Sequence, residues 1–425
     1  VAQQRILKTN AMKNFKNIVL ITYDNFPYGG ASANLLRYFA MGLARLGNKI
    51  DVLLPTGNYY GQNLDHNKNK AGVLEKGVNY KHLGFVHHPR KIAGKIADNM
   101  LGIILPFVYL MKKKQRKGVD LIVCYNVGLI KTLMLLLAKK LATKKLVIIL
   151  PEFYEKPSER FFSIKLFKWY SFYFSMKYLL RHADGFIVLS HYLKDFVANR
   201  VRGKKPIMIM PNLIDLLRFE RKGIKPFKKE KITIGYIGTP TRKDGVMDLM
   251  QSFSKLNKKY PQTHLLIIGD ITNGKTLIPH LKEHAEKLDV SDNISFTGLV
   301  SYEKVPDLLH SCQILALTRP NGVFAEAGFP TKLGEYFACK KPVVITDIGD
   351  MPRYFINEKH VMLVEAEDIE SITLGFEKLI INKYLIEQLP KNAFEWMMGN
   401  LSYIEATERV DQFLTFVLKD REPLR

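Results

Sequence analysis

Residues 328–344, GFPTKLGEYFACKKPVV, carry the residue types that a nucleotide-binding turn requires. Gly328 and Phe329 lead into Pro330, which suits the first turn of a helix because its missing N–H costs nothing there. The backbone N–H groups of Thr331, Lys332 and Leu333 are then placed to meet a phosphate, aided by the helix dipole and the Lys332 ammonium. Glu335 falls about one turn further on. From there a carboxylate can accept two hydrogen bonds from a ribose diol, each charge-assisted bond contributing about 1.5–3 kcal/mol. An ordinary capped helix with a solvated glutamate fits the same residues.

A second group follows the apolar run 232–237: GTPTRKDGV, residues 238–246. Gly238 opens the turn, and Arg242 and Lys243 stand just before a predicted helix. Fixed cations at such a point stabilise a departing diphosphate more in the transition state than in the ground state. The plainer reading is a turn with two solvated cations. Near the amino terminus, Gly29-Gly30-Ala31 follows the first apolar run and opens a helix; glycines there let the backbone approach a ligand closely. Glu152 and Glu155 follow the run 146–150 and are candidates for an acceptor side, against solvated loop acids. His87 and His88 fit anionic groups or plain surface positions.

These residues need elements to hold them. Buried-strand patterns occur at residues 17–23, 49–54, 121–125, 146–150 and 185–189, and again at 232–237, 264–268, 294–297, 314–317 and 342–346. Helical periods at 32–46 and 245–258 lie between them. Short strands alternating with helices predict doubly wound parallel sheets. The basic stretch 218–231 reads as a linker, and ligands of two such domains bind at the carboxyl ends of their strands.

The chain has 425 residues, enough for two such cores. Its net charge of +24 is uneven: residues 1–220 hold 36 Lys+Arg against 13 Asp+Glu, whereas residues 221–425 hold 28 against 27. An anionic partner for the first half follows, whether membrane surface, nucleic acid or phosphorylated substrate. Three scattered cysteines form no metal pattern and argue against a disulfide framework. The apolar runs 100–111 and 133–138 fall short of the roughly 18 needed to span a membrane, and residues 1–16 do not read as a secretory leader. Residues before Met12 are set aside, and a cytoplasmic location is expected.

With those motifs in place, the chain resembles the retaining GT-B glycosyltransferases of glycosyltransferase family 4, most fully in its second half and in scattered blocks of the first. The GFPTKLGE segment is similar to the family's donor signature, often two glutamates separated by seven residues. The resemblance implies that Glu335 holds the nucleotide ribose. The other acid would fall at position 327, which here is Ala327, with Glu326 one residue before it as its possible substitute. Lys243, beside a glycine-bounded turn, matches the lysine that serves the diphosphate, and Arg242 is a looser match to the family's arginine. Gly30 would face the diphosphate and sugar across the cleft. Residues 183–190 and 210–215 resemble the last strand of the first domain and the crossing between domains. Residues 296–300 resemble the loop, ending at Val300, whose backbone meets the base. Arg319-Pro320 precedes the donor loop.

The resemblance further implies a fold of two Rossmann-like domains, residues 12–220 for the acceptor and 221–402 for the donor, with a helix in 403–425 returning to the first. It implies transfer from a UDP- or GDP-linked sugar with retention, without cofactor or metal. A front-face mechanism needs no separate base, because the leaving phosphate takes the acceptor proton. Between residues 160 and 181, nine aromatic residues, among them Phe161, Phe162, Phe167, Trp169 and Tyr178, are interleaved with Lys165, Lys168 and Lys177. Aromatic bodies with cationic tips suit an anionic leaflet; a partly buried long helix fits as well. A peripheral position on the inner face of the membrane and a glycan or lipid-linked acceptor in cell-envelope polysaccharide synthesis follow as expectations. Nucleic acid is not expected, since no recognition motif accompanies the charge. A non-catalytic sugar-nucleotide-binding protein is the alternative that Ala327 opens. A nicotinamide enzyme is disfavoured, for no G-x-G-x-x-G follows a strand.

Overall fold

A computed structural model describes residues 15–58, 69–115, 118–126, 128–142, 145–153, 156, 164–201, 205–220, 232–271 and 275–419. Glu155, Phe161, Phe162 and residues 221–231 of the linker lie outside this set, as do the side chains of Lys165 and Lys168.

Two parallel-sheet α/β domains face each other. The first sheet contains β1 (Asn17–Ile21), β2 (Lys49–Leu54), β3 (Ala71–Glu75), β4 (Val78–His82), β5 (Leu121–Tyr125), β6 (Lys145–Leu150), β7 (Gly185–Val188) and β8 (Ile207–Ile209). Their spatial order is β3-β4-β2-β1-β5-β6-β7-β8, parallel except for the β3/β4 pair. The second contains β9 (Ile232–Ile237), β10 (Thr263–Ile268), β11 (Ile294–Phe296), β12 (Ile314–Leu317), β13 (Val343–Thr346) and β14 (Met362–Val364). Its order is β11-β10-β9-β12-β13-β14, with every pair parallel. Central strands such as β5 (LIVCY) and β13 (VVIT) are buried at every position, which is why they read as continuous apolar runs. Strand order reverses beside β1 and beside β9. Both switch points open into the space between the domains, where open α/β sheets bind ligands.

The chain crosses between domains twice. At the second crossing, helix Tyr403–Lys419 returns to lie along helix Ala31–Arg45. A Cβ at Gly42 would collide with the Thr407 side chain, so the glycine lets the two helices approach. Asp411 accepts hydrogen bonds from Lys16 Nζ at 2.8 Å and Asn48 Nδ2 at 2.7 Å, fixing the helix to the first sheet. Several polar contacts join the domains near the cleft, three of them at the carboxyl ends of the strands and the first crossing. Ser190 Oγ donates to the Ala327 carbonyl at 2.8 Å, the His191 amide to Asp350 Oδ2 at 2.9 Å, and Asn212 Nδ2 to the Phe329 carbonyl at 2.5 Å.

The sequence reading found no membrane-spanning segment, but helix Ile92–Gln115 includes a stretch, Ile92–Lys112, long and apolar enough to cross one. Lys95 and Asp98 interrupt its apolar run, which is why run length missed it. Asp98 is buried, accepting from the Gly57 amide at 3.1 Å and pairing with His88 Nδ1 at 2.7 Å. His88 is thus occupied inside the first domain rather than offered to a ligand or simply to solvent. The helix exposes a stripe of Ile92, Ile96, Met100, Ile104 and Val108 at every fourth residue. Its neighbour Leu129–Ala142 exposes Ile130, Leu133, Leu137 and Leu141, and beyond it helix Ile164–Phe174 exposes Phe167, Tyr170, Tyr173 and Phe174. That last helix buries Phe172 on its inner side, as the reading of a partly buried helix expected.

Candidate active site

A cavity of about 680 Å³ lies between the domains, lined from the ends of strands in both. The first domain supplies Asp24 after β1, Gly30 to Ser32 at a helix start, Asn126 after β5, and Glu152 after β6. The second supplies Gly238, Lys243 and Asp244 after β9, Arg319 after β12, and Phe329, Pro330, Thr331, Lys332 and Glu335 from the signature segment. Lys243 reaches across the opening to Glu152 at 3.7 Å. The sequence placed these two on opposite walls, and the fold brings them together.

Helix Thr331–Ala338 points its amino end into this cavity. Tyr336 holds it there: its hydroxyl accepts from the Ile237 amide at 3.1 Å and donates to the Ala316 carbonyl at 3.1 Å, linking the helix to β9 and β12. Pro330 is the residue preceding the first helical one. Its carbonyl accepts from the Leu333 amide at 3.2 Å. Leu333 is therefore a correction, because its N–H is engaged within the turn and its side chain is buried. Thr331 and Lys332, the first two positions, keep amides without intrahelical acceptors.

Lys332 is largely buried, its side chain 16% exposed, and its ammonium bonds Asp244 Oδ2. Tyr236 donates to the same carboxylate at 2.7 Å. Burial works to raise the Asp244 carboxyl, but Lys332 and the Tyr236 hydroxyl outweigh it and hold it below the usual carboxylate range. Burial lowers the Lys332 ammonium, against the pull of Asp244. Gly238 has φ +139°, and a Cβ there would strike Lys332 Nζ, so the glycine makes room for the cation. At Gly30 no atom lies within 4 Å of a Cβ position; that residue leaves open space on the cavity side.

Glu335 is equally enclosed, 17% exposed, and Arg218 Nη1 donates to its Oε1 at 3.2 Å. Burial raises its carboxyl above the ordinary glutamate value, with Arg218 and then Lys332 opposing. Arg218 lies at the end of the interdomain crossing, packs over the Tyr302 ring at 3.4 Å and donates to the Tyr302 carbonyl at 2.6 Å. Tyr302 in turn meets Arg37 Nη2 at 2.5 Å and Tyr38 Oη at 2.7 Å from the first domain. A chain of contacts thus joins the ribose candidate to the opposite domain.

Three other expectations are corrected. Arg242 is exposed and does not line the cavity; it begins the short helical turn Arg242–Asp244, and only the two residues after it face inward. Glu326 is exposed on helix Val323–Ala327 and outside the lining, so in this loop position it does not reach the cavity in place of the acid missing at Ala327. Ala327 is fully buried against the first-domain core, leaving no room there for a carboxylate without a shift of the loop. Val300 is half-buried against the second-domain core and also outside the lining.

Sequence reasoning missed Asp24, Asp244 and Arg218 as functional groups. Asp24 lines the cavity; burial raises its carboxyl, Ser32 lowers it, and Glu152 raises it further. Its place just past β1, at a switch point, was the available signal. Arg319 was noted only as preceding the donor loop. Its guanidinium donates to the carbonyls of Phe324 at 3.0 Å and Gly328 at 3.4 Å, tying down the loop that carries Phe329.

Residues 218–396 match the family model described as glycosyl transferases group 1. An uncharacterized glycosyltransferase of Methanocaldococcus jannaschii is 24% identical over 53% of this chain and 57% of its own length. A capsular polysaccharide biosynthesis glycosyltransferase of Staphylococcus aureus is 23% identical over 61% of this chain and 69% of its own. The first two curated relatives are each spanned over about half their length. Among solved structures, a sucrose-phosphate synthase of Thermosynechococcus elongatus superposes with TM-score 0.71 at 15% identity, over 95% of this chain and 99% of that one. A protein of Anabaena, HepE, solved with UDP, gives 0.67 at 15% identity over 94% and 100%. These superpositions establish the GT-B fold, two facing α/β domains, for the chain.

Proposed function

We propose, on the premise that residues 218–396 are a glycosyl transferases group 1 domain, that the chain moves a glycosyl group from a nucleotide-sugar donor to an acceptor bound against the first domain. The observation that carries this reading is the convergence on one cavity of a free helix start, Lys332, Lys243 and Glu335, the last held by Arg218 from outside the lining. The donor's diphosphate meets the Thr331 and Lys332 amides, and its ribose diol donates to Glu335. As the glycosidic bond breaks, its electron pair leaves with the diphosphate oxygen. Lys243, drawn from Glu152, meets the new charge.

The acceptor hydroxyl attacks from the side of Asp24 and Glu152. In a retaining front-face reaction the departing phosphate oxygen takes the acceptor's proton, so neither acid need act as the base. Protein cations and amides serve the diphosphate, and no metal enters the scheme. A membrane-borne or lipid-linked glycan acceptor fits the basic first half and the apolar stripes on its outer helices.

Thermal-shift screening of UDP- and GDP-sugars identifies the donor, because only a ligand of the folded form raises its stability. With that donor, Lys243→Ala should lower kcat for transfer or donor hydrolysis by about 10²–10³-fold and leave donor affinity within a few-fold. Donor binding without turnover, with water or any acceptor, would favour the non-catalytic reading that the buried Ala327 leaves open. No binding by any nucleotide sugar overturns both.

A further inference from the structure

We infer that the first domain carries a second ligand site, an aromatic pocket beside the cleft, which holds the phosphate-bearing end of a lipid. Its naming as the anchor of the acceptor rests on the transferase reading; the site itself does not. Pro151 and Glu152 line the cleft, and the next residue, Phe153, lines a separate cavity of about 270 Å³. Around it stand Trp169, Phe172, Tyr173 and Phe196, with Met176 completing the apolar lining. The Phe153 ring meets Phe172 and Phe196 edge to face at 5.9 and 5.0 Å, and Trp169 stacks on Tyr173 at 5.2 Å. These contacts hold the walls in place.

Two cations complete the lining, and among the described residues no acid does. The Arg200 guanidinium lies 3.3 Å from the Phe196 ring centroid and donates to the Phe196 carbonyl at 3.2 Å. Among the described residues no carboxylate pairs with it. Lys156 stands 5.7 Å from the Trp169 ring. Aromatic walls with two cations select an anionic group joined to an apolar chain. The cavity is smaller than the roughly 300–1,000 Å³ that encloses a whole small ligand, so it receives one segment. The remaining chain has a surface to follow, since Phe167, Tyr170, Phe174 and Tyr178 are exposed along the same helical stretch. A lipid phosphate seated here places what it carries one residue from Glu152, at the acceptor wall of the cleft.

Trp169 reports on the pocket directly, because the chain has only one other tryptophan, Trp396, in the second domain. In a Trp396→Phe background, Trp169 fluorescence is titrated with dodecyl phosphate below its critical micelle concentration, with a neutral dodecyl maltoside, and with inorganic phosphate. A saturable change with dodecyl phosphate, at least tenfold tighter than with either control, supports the site. Arg200→Gln should remove at least tenfold of that affinity, and the exposed Lys156→Gln several-fold. Equal response to charged and neutral amphiphiles overturns the proposal, as does saturation by inorganic phosphate alone at the same concentration. If Arg200→Gln does not fold, the three-ligand comparison on the parent protein decides. The titration uses no donor. Its failure therefore leaves the cleft reading standing, and a cleft that binds no nucleotide sugar leaves the titration intact.

Discussion

Glu335 illustrates how two neighbours set what one carboxylate can do. It is enclosed with Arg218 at 3.2 Å, and burial raises its carboxyl above the ordinary glutamate value. Only the ionised form accepts charge-assisted hydrogen bonds from both ribose hydroxyls, so nucleotide affinity should rise with pH through this elevated value and then level off. Titration calorimetry with the donor's nucleoside diphosphate, between pH 4.5 and 8, should show the rise beginning above the usual carboxylate range; Glu335→Gln should flatten it and cost about 1.5–3 kcal/mol at neutral pH. The stability linkage has the opposite sign. In the window between the unfolded and the raised folded value, the native state binds more protons, so this group's contribution to stability falls as pH rises. Arg218→Met tests the partner. It strands a buried carboxylate, for which a loss of about 3–5 kcal/mol is expected, read as a lower Tm that acid pH partly restores. A Tm unchanged within error at neutral pH would mean that the pair contributes nothing. The role of Glu335 was legible beforehand but its pairing was not, because Arg218 sits in a basic linker 117 positions from Glu335. Lys332 and Asp244, 88 apart, are hidden in the same way. Sequence spacing predicts contacts along one helix; it cannot supply those made by closing a sheet.

At the scale of elements, the turn from β9 into helix Val246–Lys259 decides where Lys243 points. Gly245 has φ +67°, and a Cβ there would collide with the Thr318 carbonyl of the neighbouring loop. Gly245→Ala should thus cost more than the roughly 1–2 kcal/mol of left-handed backbone strain, because the carbonyl must also move. Thr318 Oγ1 donates back to the Gly245 carbonyl at 2.8 Å, so turn and loop shift together. Transfer activity should fall with Tm. Gly399→Ala, in helix Lys383–Asn400 with nothing within 4 Å of the new methyl, should instead gain about 0.5–1 kcal/mol. Equal Tm values for the two variants would refute this account of the turn. The same turn shows what the sequence does reveal. β9, its glycine-rich exit and the following helix were readable because β9 is almost wholly buried and the helix has a clear apolar face. The pair β3 and β4 at the sheet edge lacks the continuous apolar run that marks the buried strands, AGVLE and VNYKH being only partly covered. β8 and β14, at three residues each, are too short to show any period. Arg242 and Glu326 failed for a subtler reason: a one-residue change of place on a short helical turn rotates a side chain by about 100–120°, enough to move it out of the cavity.

For the whole molecule, charge and shape divide along the same line. The first half holds nearly all of the net +24, and its outer helices expose the apolar stripes, while the cleft opens between the domains. If the first domain rests on an anionic bilayer, two separable forces hold it: apolar burial at about 25 cal/mol per Å², and about 1 kcal/mol for each Lys or Arg near the surface. Ile96 and Ile104 stand 60% and 47% exposed on the stripe, and neither lines either cavity. Ile96→Asp/Ile104→Asp should therefore abolish flotation with anionic vesicles at physiological salt, yet leave the thermal shift produced by the donor nucleotide unchanged. Raising salt from 0.1 to 1 M shortens the screening length from about 10 to 3 Å. It should weaken the parent protein's vesicle binding without eliminating it, since the apolar share is insensitive to screening. Binding that vanishes fully with salt would assign the whole effect to charge. Flotation of the double variant at the parent's level would remove this helix from the membrane face and leave the stripe as a surface for some other contact.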